Sequence, residues 1–286
     1  MRLISALLLG CFLNACSTSD QKEPEVVSES IEEQDYTAYG NHKIFWIYED
    51  GFNDEDKSKL KTWITKVVDA TTVTIGNYPF DLYIHFARID RGISAVHFGH
   101  TIRGKKQSVR FYVNPAMPLE DFLSDWVAPH EISHLSQPFV GKKNKWFSEG
   151  YATYMSRQIM INMGYYTDDS FDSLYRAKIA STLDSYGSST LTHIEISDSL
   201  VKAHNYGDMY WGSSSFFFTI DQQLKEKYQI RFRDVVKNYQ QCCRLKDKSL
   251  LSILQSYDHI VGDTLFIGLM KQYRNAPAME VMKSYK

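Results

Sequence analysis

The pattern of apolar and polar positions changes character near residue 118. KIFWIYED, from Lys43, alternates apolar and polar residues and is rich in aromatic and β-branched side chains, so it predicts a strand. DEDKSKLKTWITKVVDATTVT, from Asp54, repeats its apolar residues at helical spacing and predicts a helix. FDLYIHFARI predicts a second strand, and ISAVHFGHTIRG with KKQSVRFYVNP predicts a hairpin around Gly104. Pro115 and Pro118 break the pattern, and helical spacing dominates from Leu119 onward. LEDFLSDWVAPHEISHL predicts one helix and KWFSEGYATYMSRQIMINMG the next. DDSFDSLYRAKIASTLDSYG, YWGSSSFFFTIDQQLKEKY, RFRDVVKNYQQCC, SLLSILQSY and GDTLFIGLMKQYR continue the series. Strands followed by helices imply an α+β fold: a strand-rich N-terminal subdomain over 41–118 and a mostly helical subdomain over 119–286.

The segment ahead of these elements has another character. Met1-Arg2 precedes a short apolar run, which reads as a signal peptide over 1–15 and is too short to span a bilayer comfortably. The run ends in Leu13-Asn14-Ala15-Cys16, which resembles the lipobox of bacterial lipoproteins. The resemblance implies cleavage before Cys16, lipid on that residue and attachment to the membrane of the cell envelope, with Ser17 matching outer-membrane sorting in a Gram-negative host. A plain secretory signal cut nearby is the alternative. Residues 16–40 are polar and acidic and read as a flexible tether, with folding expected from about Asn41.

Composition narrows the function. Aromatic residues make up 14% of the 286-residue chain, ample for a packed core, and a net charge of −2 gives no basic face for nucleic acid. Beyond Cys16 only the adjacent pair Cys242 and Cys243 remains, which excludes a disulfide framework. The pair is expected as two helix residues, at least one of them buried, rather than as a strained vicinal disulfide.

APHEISHLSQ, from Ala128, carries the chemistry. On a helix His130 and His134 lie one turn apart on one face and aim both imidazoles at one point. Glu131 sits beside that face, able to reach a metal-activated water without binding the metal, which is the logic of H-E-x-x-H zinc hydrolases. Downstream, KWFSEGYATY supplies W-x-x-E-G-Y-A. The two motifs together resemble the gluzincin metallopeptidases, with patterns closest to the aminopeptidase N and glycyl aminopeptidase families, over about residues 119–225.

That resemblance implies Zn²⁺ held by His130, His134 and Glu149, with Glu131 as general base and a peptide or protein as substrate. It also implies a tyrosine donor for the developing oxyanion, assigned to Tyr210 with Tyr206 as the alternate. The chain departs from those families in three ways. Fourteen residues separate His134 from Glu149, about one helical turn fewer than usual. Tyr210 stands two residues before Gly212 rather than three. GISAVHFGH, where aminopeptidase N relatives carry an ammonium-binding Glu, has none. His97 and His100 lie on opposite faces of their strand and are expected at the surface, so at most one can look into the site. His204 is expected in a loop and Trp146 in the core. Thr153 is either a hydrogen-bond support for a metal ligand or a packing residue. The rival readings are a non-catalytic envelope lipoprotein that binds a peptide or partner, and a zinc hydrolase of a non-peptide amide.

Overall fold

The computed structural model describes residues 35–188 and 190–285. The signal peptide and the lipid site at Cys16 lie outside them. The first strand, β1 (Tyr36–Tyr39), pairs antiparallel with β2 (His42–Tyr48). It falls inside the span expected as tether: a four-residue strand with three exposed positions leaves little apolar signal, and its anchor is the ladder and the buried Tyr39. Helix α1 (Asp54–Ile75) then crosses over to β3 (Leu82–Arg88), which runs parallel to β2. The hairpin of β4 (Val96–Ile102) and β5 (Gln107–Val113) completes a sheet of order β1-β2-β3-β5-β4, leaving β4 as an edge.

Period-2 patterning explains how the sheet packs. Ile44, Trp46, Leu82, Ile84, Phe86, Val109, Phe111 and Val113 are buried, while their neighbours in each strand are mostly half-exposed. Helix α1 covers that buried face. Its start is fixed by Asn53, whose side chain accepts the Asp56 N–H at 2.8 Å, and three acidic residues in its first turn suit the helix dipole. The fully buried Trp63 indole packs against the rings of Phe86, Phe111 and Phe122.

The expected helix from Leu119 is two helices, α2 (Leu119–Ser124) and α3 (Val127–His134). Asp125 adopts an extended conformation between them, and its carboxylate accepts the Val127 N–H at 2.7 Å, a local bond that competes with helix continuation. Then follow α4 (Lys145–Asn162), α5 (Asp168–Ala180), α6 (His193–Lys202), α7 (Tyr206–Tyr228), α8 (Phe232–Cys242), α9 (Leu250–Val261), α10 (Leu265–Asn275) and α11 (Ala278–Val281). The sequence pattern did not mark α6, although Thr192 and Glu195 form a capping box at its start.

The strands before residue 118 and the helices after it pack into one compact unit over the described residues. The reason is α1, which packs on the sheet and also on α3, α4 and α8, so strands and helices share a core. A second difference concerns Cys242 and Cys243, which are disulfide-bonded to each other, and neither is buried. Helix α8 ends at Cys242, and Cys243 leaves helical geometry with φ −131°, which frees the pair to meet. Among the described residues no helix is long and apolar enough to cross a membrane.

Candidate active site

Three neighbouring elements converge on a cleft of about 730 Å³: β4, the α3–α4 pair and the first turns of α7. Helix α3 is buried, with His130 and His134 at 3% and 7% exposure, so its two imidazoles face protein rather than bulk water. Tyr78 donates its O–H to the Ile132 carbonyl at 2.7 Å and ties the middle of this short helix to the sheet layer. Trp126 meets the His130 ring edge-on at 5.0 Å, and the His134 ring does the same at 4.9 Å. These contacts hold the rings apart from one another and aimed one way.

Helix α4 brings the third group. The connection from α3 is short and closes with a 3-10 turn at Lys142–Asn144, so α4 begins early enough to offset the missing helical turn. Glu149 Oε2 lies 3.2 Å from His130 Nε2 and 3.4 Å from His134 Nε2, and all three donor atoms fall within 4.8 Å of one another. Ligands at about 2.0–2.1 Å in a tetrahedron around zinc stand roughly 3.3 Å apart. Two neutral-capable imidazoles and a carboxylate at this spacing therefore fit a zinc ion. Burial raises the Glu149 carboxyl pKa, but the two histidines outweigh it and hold the group far below the usual carboxylate range. His130 Nδ1 is buried without a protein partner.

Glu131 points into the cleft beside this triad. Burial pushes its pKa up to about 7, with Glu149 adding to the rise and with His130, Arg103 and the Thr101 N–H opposing it. It reaches β4 because Gly99 has no side chain: a Cβ there would stand 2.8 Å from Glu131 Cγ and 2.9 Å from Val127 Cγ1.

Helix α7 supplies the opposite wall. Gly150, next to Glu149, faces Ser213 so closely that only glycine lets α4 and α7 meet. Gly212 lies under the Tyr186 ring, with a would-be Cβ only 2.1 Å from it. The buried His193 donates its Nε2–H to the Gly212 carbonyl at 3.0 Å and stacks on Tyr186, fixing the first turns of α7. Tyr210 lines the cleft with its ring 5.7 Å from that of His130. Burial, then Glu149, Glu131 and Tyr206, raise its phenol pKa, so it remains an O–H donor. Tyr206 lies farther out, with its ring 6.3 Å from that of Tyr210.

The structure thus brings together His130, Glu131, His134, Glu149, Tyr210 and Tyr206. Of the remaining residues, some follow expectation and some do not. His100, expected at the surface, lines the cleft half-buried, whereas His97 is exposed and does not. One histidine of the pair looks into the cleft and the other does not, as their placement on opposite faces of the strand implies. His204 sits in a turn with φ 57°. Thr153 Oγ1 is buried and bonds nothing, Glu149 included, so it does not support that residue. Trp146 is in the core. Arg103, Lys142 and Lys145 also line the cleft, and the sequence reading did not mark them. Lys145 was in principle visible, because it precedes Glu149 by one helical turn on the same face.

No family model and no curated protein matches the chain. Among solved structures it is similar to an aminopeptidase N family protein from Idiomarina loihiensis, with a TM-score of 0.54, 11% identity and coverage of 87% of this chain and 48% of that one. It is also similar to an M1 zinc metallopeptidase from Deinococcus radiodurans, with a TM-score of 0.50, 14% identity and coverage of 84% of this chain and 50% of that one. The chain spans about half the length of these structures, and at such identities the likeness is one of fold.

Proposed function

We propose that this chain, which shares its fold with M1 zinc metallopeptidases, is a zinc-dependent peptidase of gluzincin type. The observation that carries the reading is the spacing of His130, His134 and Glu149, with Glu131 beside them. These three residues would hold Zn²⁺, which when bound polarises a carbonyl and acidifies water.

The protein's own groups do the rest. Glu131, with a proton affinity near neutrality, takes the proton of the attacking water and passes it to the departing amine. Tyr210 keeps its proton and donates a hydrogen bond to the oxyanion that develops on the scissile carbonyl. The edge strand β4 offers backbone groups for an extended peptide to pair with, beside Glu131. The apolar wall behind α3 keeps bulk water from both histidines.

The short His134–Glu149 gap and the shifted tyrosine would favour a protein that binds without cutting. Two observations weigh for catalysis instead: Glu149 reaches both histidines, and Tyr210 stands beside His130. Residues 1–34 add the proposal of an envelope lipoprotein anchored through Cys16, for which intact mass of the mature chain is the test: acylated in the wild type, unmodified or uncleaved in Cys16→Ser. Digestion of a peptide library tests the enzyme. Wild type should cut it, and Glu131→Gln should retain zinc yet lose roughly 10²–10⁴ in rate. Equal cleavage by Glu131→Gln would remove the general base from the account, and a zinc-loaded wild type that cuts nothing would favour the binding protein.

A further inference from the structure

The charge lining the cleft is one-sided. Among the described residues its carboxylates are Glu131 and Glu149. Glu149 is engaged by both histidines, and Glu131 is packed against Gly99 of β4 beside them. Against them stand three cations, Arg103, Lys142 and Lys145. Among the described residues no carboxylate lies within 4.0 Å of any of these three, unlike Arg231 at the buried Asp221.

Aromatic rings hold two of the cations instead. The Arg103 guanidinium lies 5.2 Å from the centre of the Phe139 ring, and Lys145 Nζ lies 4.7 Å from that of Tyr206. A ring face orients a cation while leaving its N–H groups free to donate. Arg103 follows directly on β4, the strand available to an extended peptide. Lys145 stands one turn ahead of Glu149 on the same face of α4. The unpaired cations therefore flank the reactive groups from two sides.

Resting on the peptidase reading, we propose that this cleft selects peptides carrying a free carboxylate near the scissile bond, anchored mainly by Arg103. The carboxylate comes from an acidic side chain or from the peptide's own C-terminus. A free amino terminus at the same place meets three cations and no carboxylate left to pair with it. Arg103 is the better anchor because its fixed fork of donors matches a carboxylate two-fold and its charge persists at every working pH. Arg103 and Lys142 are exposed at the cleft and Lys145 is half-buried, and the two lysines reinforce the field.

The test uses four tetrapeptide libraries: blocked at both ends and neutral, blocked with one Asp or Glu, free only at the C-terminus, and free only at the N-terminus. Binding is read by equilibrium dialysis on zinc-loaded Glu131→Gln, and cleavage by mass spectrometry on the wild type. The acidic library, the C-terminally free library or both should bind about tenfold or more tightly than the neutral one, and which of them does so identifies the source of the carboxylate. That preference should shrink with added salt. In the Glu131→Gln background it should disappear in Arg103→Ala and reverse in Arg103→Glu. Lys145→Ala, read in the same way, should weaken it and covers the event that the Arg103 variants do not fold. Equal use of the neutral library, or a preference for free amino termini, overturns the proposal while leaving the peptidase reading intact. Carboxylate-selective binding without any cleavage supports the proposal and removes the peptidase reading. Binding of none of the libraries overturns both.

Discussion

Gly150→Ala probes the joint between the helix that carries Glu149 and the helix that carries Tyr210. A Cβ at Gly150 falls 2.6 Å from the carbonyl carbon and oxygen of Ser213 and 2.9 Å from its Cβ. Ordinary contact begins near 3.4 Å, so α7 has to retreat by about 0.8 Å, the difference of these values. The clash is with backbone, which no rotamer change relieves. Overpacking of this kind costs roughly 1–3 kcal/mol. For a chain of this size that lowers Tm by about 2–10 °C. Tyr210 sits one turn before Ser213 and moves with it, and a shift near an ångström at reacting groups costs on the order of 10²-fold in rate. The assay is calorimetry with kcat/KM and zinc content on the same sample. Zinc should stay, since Glu149 remains, while Tm and kcat/KM both fall. Gly268→Ala is the control, because Gly268 lies inside α10 with nothing within 4 Å of its would-be Cβ. It should be neutral or stabilise by a few tenths of a kcal/mol up to about 1 kcal/mol. A Gly150→Ala variant with unchanged Tm and kcat/KM refutes the reasoning about this joint.

The tyrosine assignment and the acid limb of stability give further tests. Tyr210→Phe should lower kcat by about 10²–10³ with little change in substrate binding, whereas Tyr206→Phe should be nearly silent; the reverse order in steady-state kinetics would move the oxyanion donor to Tyr206. His193 is fully buried, and burial lowers its pKa from 6.5 to about 4, with its bond to the Gly212 carbonyl opposing the shift. The unfolded chain therefore binds the proton first as pH falls, so stability is intact above pH 6.5 and is lost between 6.5 and 4. Urea unfolding should show a loss of about 2 kcal/mol from this group between pH 7 and pH 5, and His193→Gln should flatten that part of the slope.

The cluster of His130, His134 and Glu149 was legible because its geometry is local or motif-borne. The i, i+4 spacing of His130 and His134 fixes their common face whatever the fold does. Glu149 needed the second motif, and its fit depended on a short connection whose 3-10 turn no periodicity announces. Strands and long helices were legible where one face is buried, as in β3 and α1. Tyr36–Tyr39 was missed because pairing with β2 rather than burial makes it a strand. The break at Asp125 was missed because a single side chain-to-backbone bond ends α2 against a continuing helical pattern. That α1 also reaches the later helices was not legible, since it is a tertiary fact. Arg103 escaped for the same kind of reason: it is an exposed arginine next to a hairpin turn, and only the fold shows that the cleft lies beside it.

The central claim is that His130, His134 and Glu149 hold one zinc ion. Elemental analysis of the purified folded chain, from about residue 36 onward, measures it directly. The account expects one zinc per chain in the wild type and in Glu131→Gln, and little or none in His130→Ala or His134→Ala, with each variant shown to be folded by circular dichroism. A wild type without zinc, or stoichiometric zinc in both histidine variants, would contradict it.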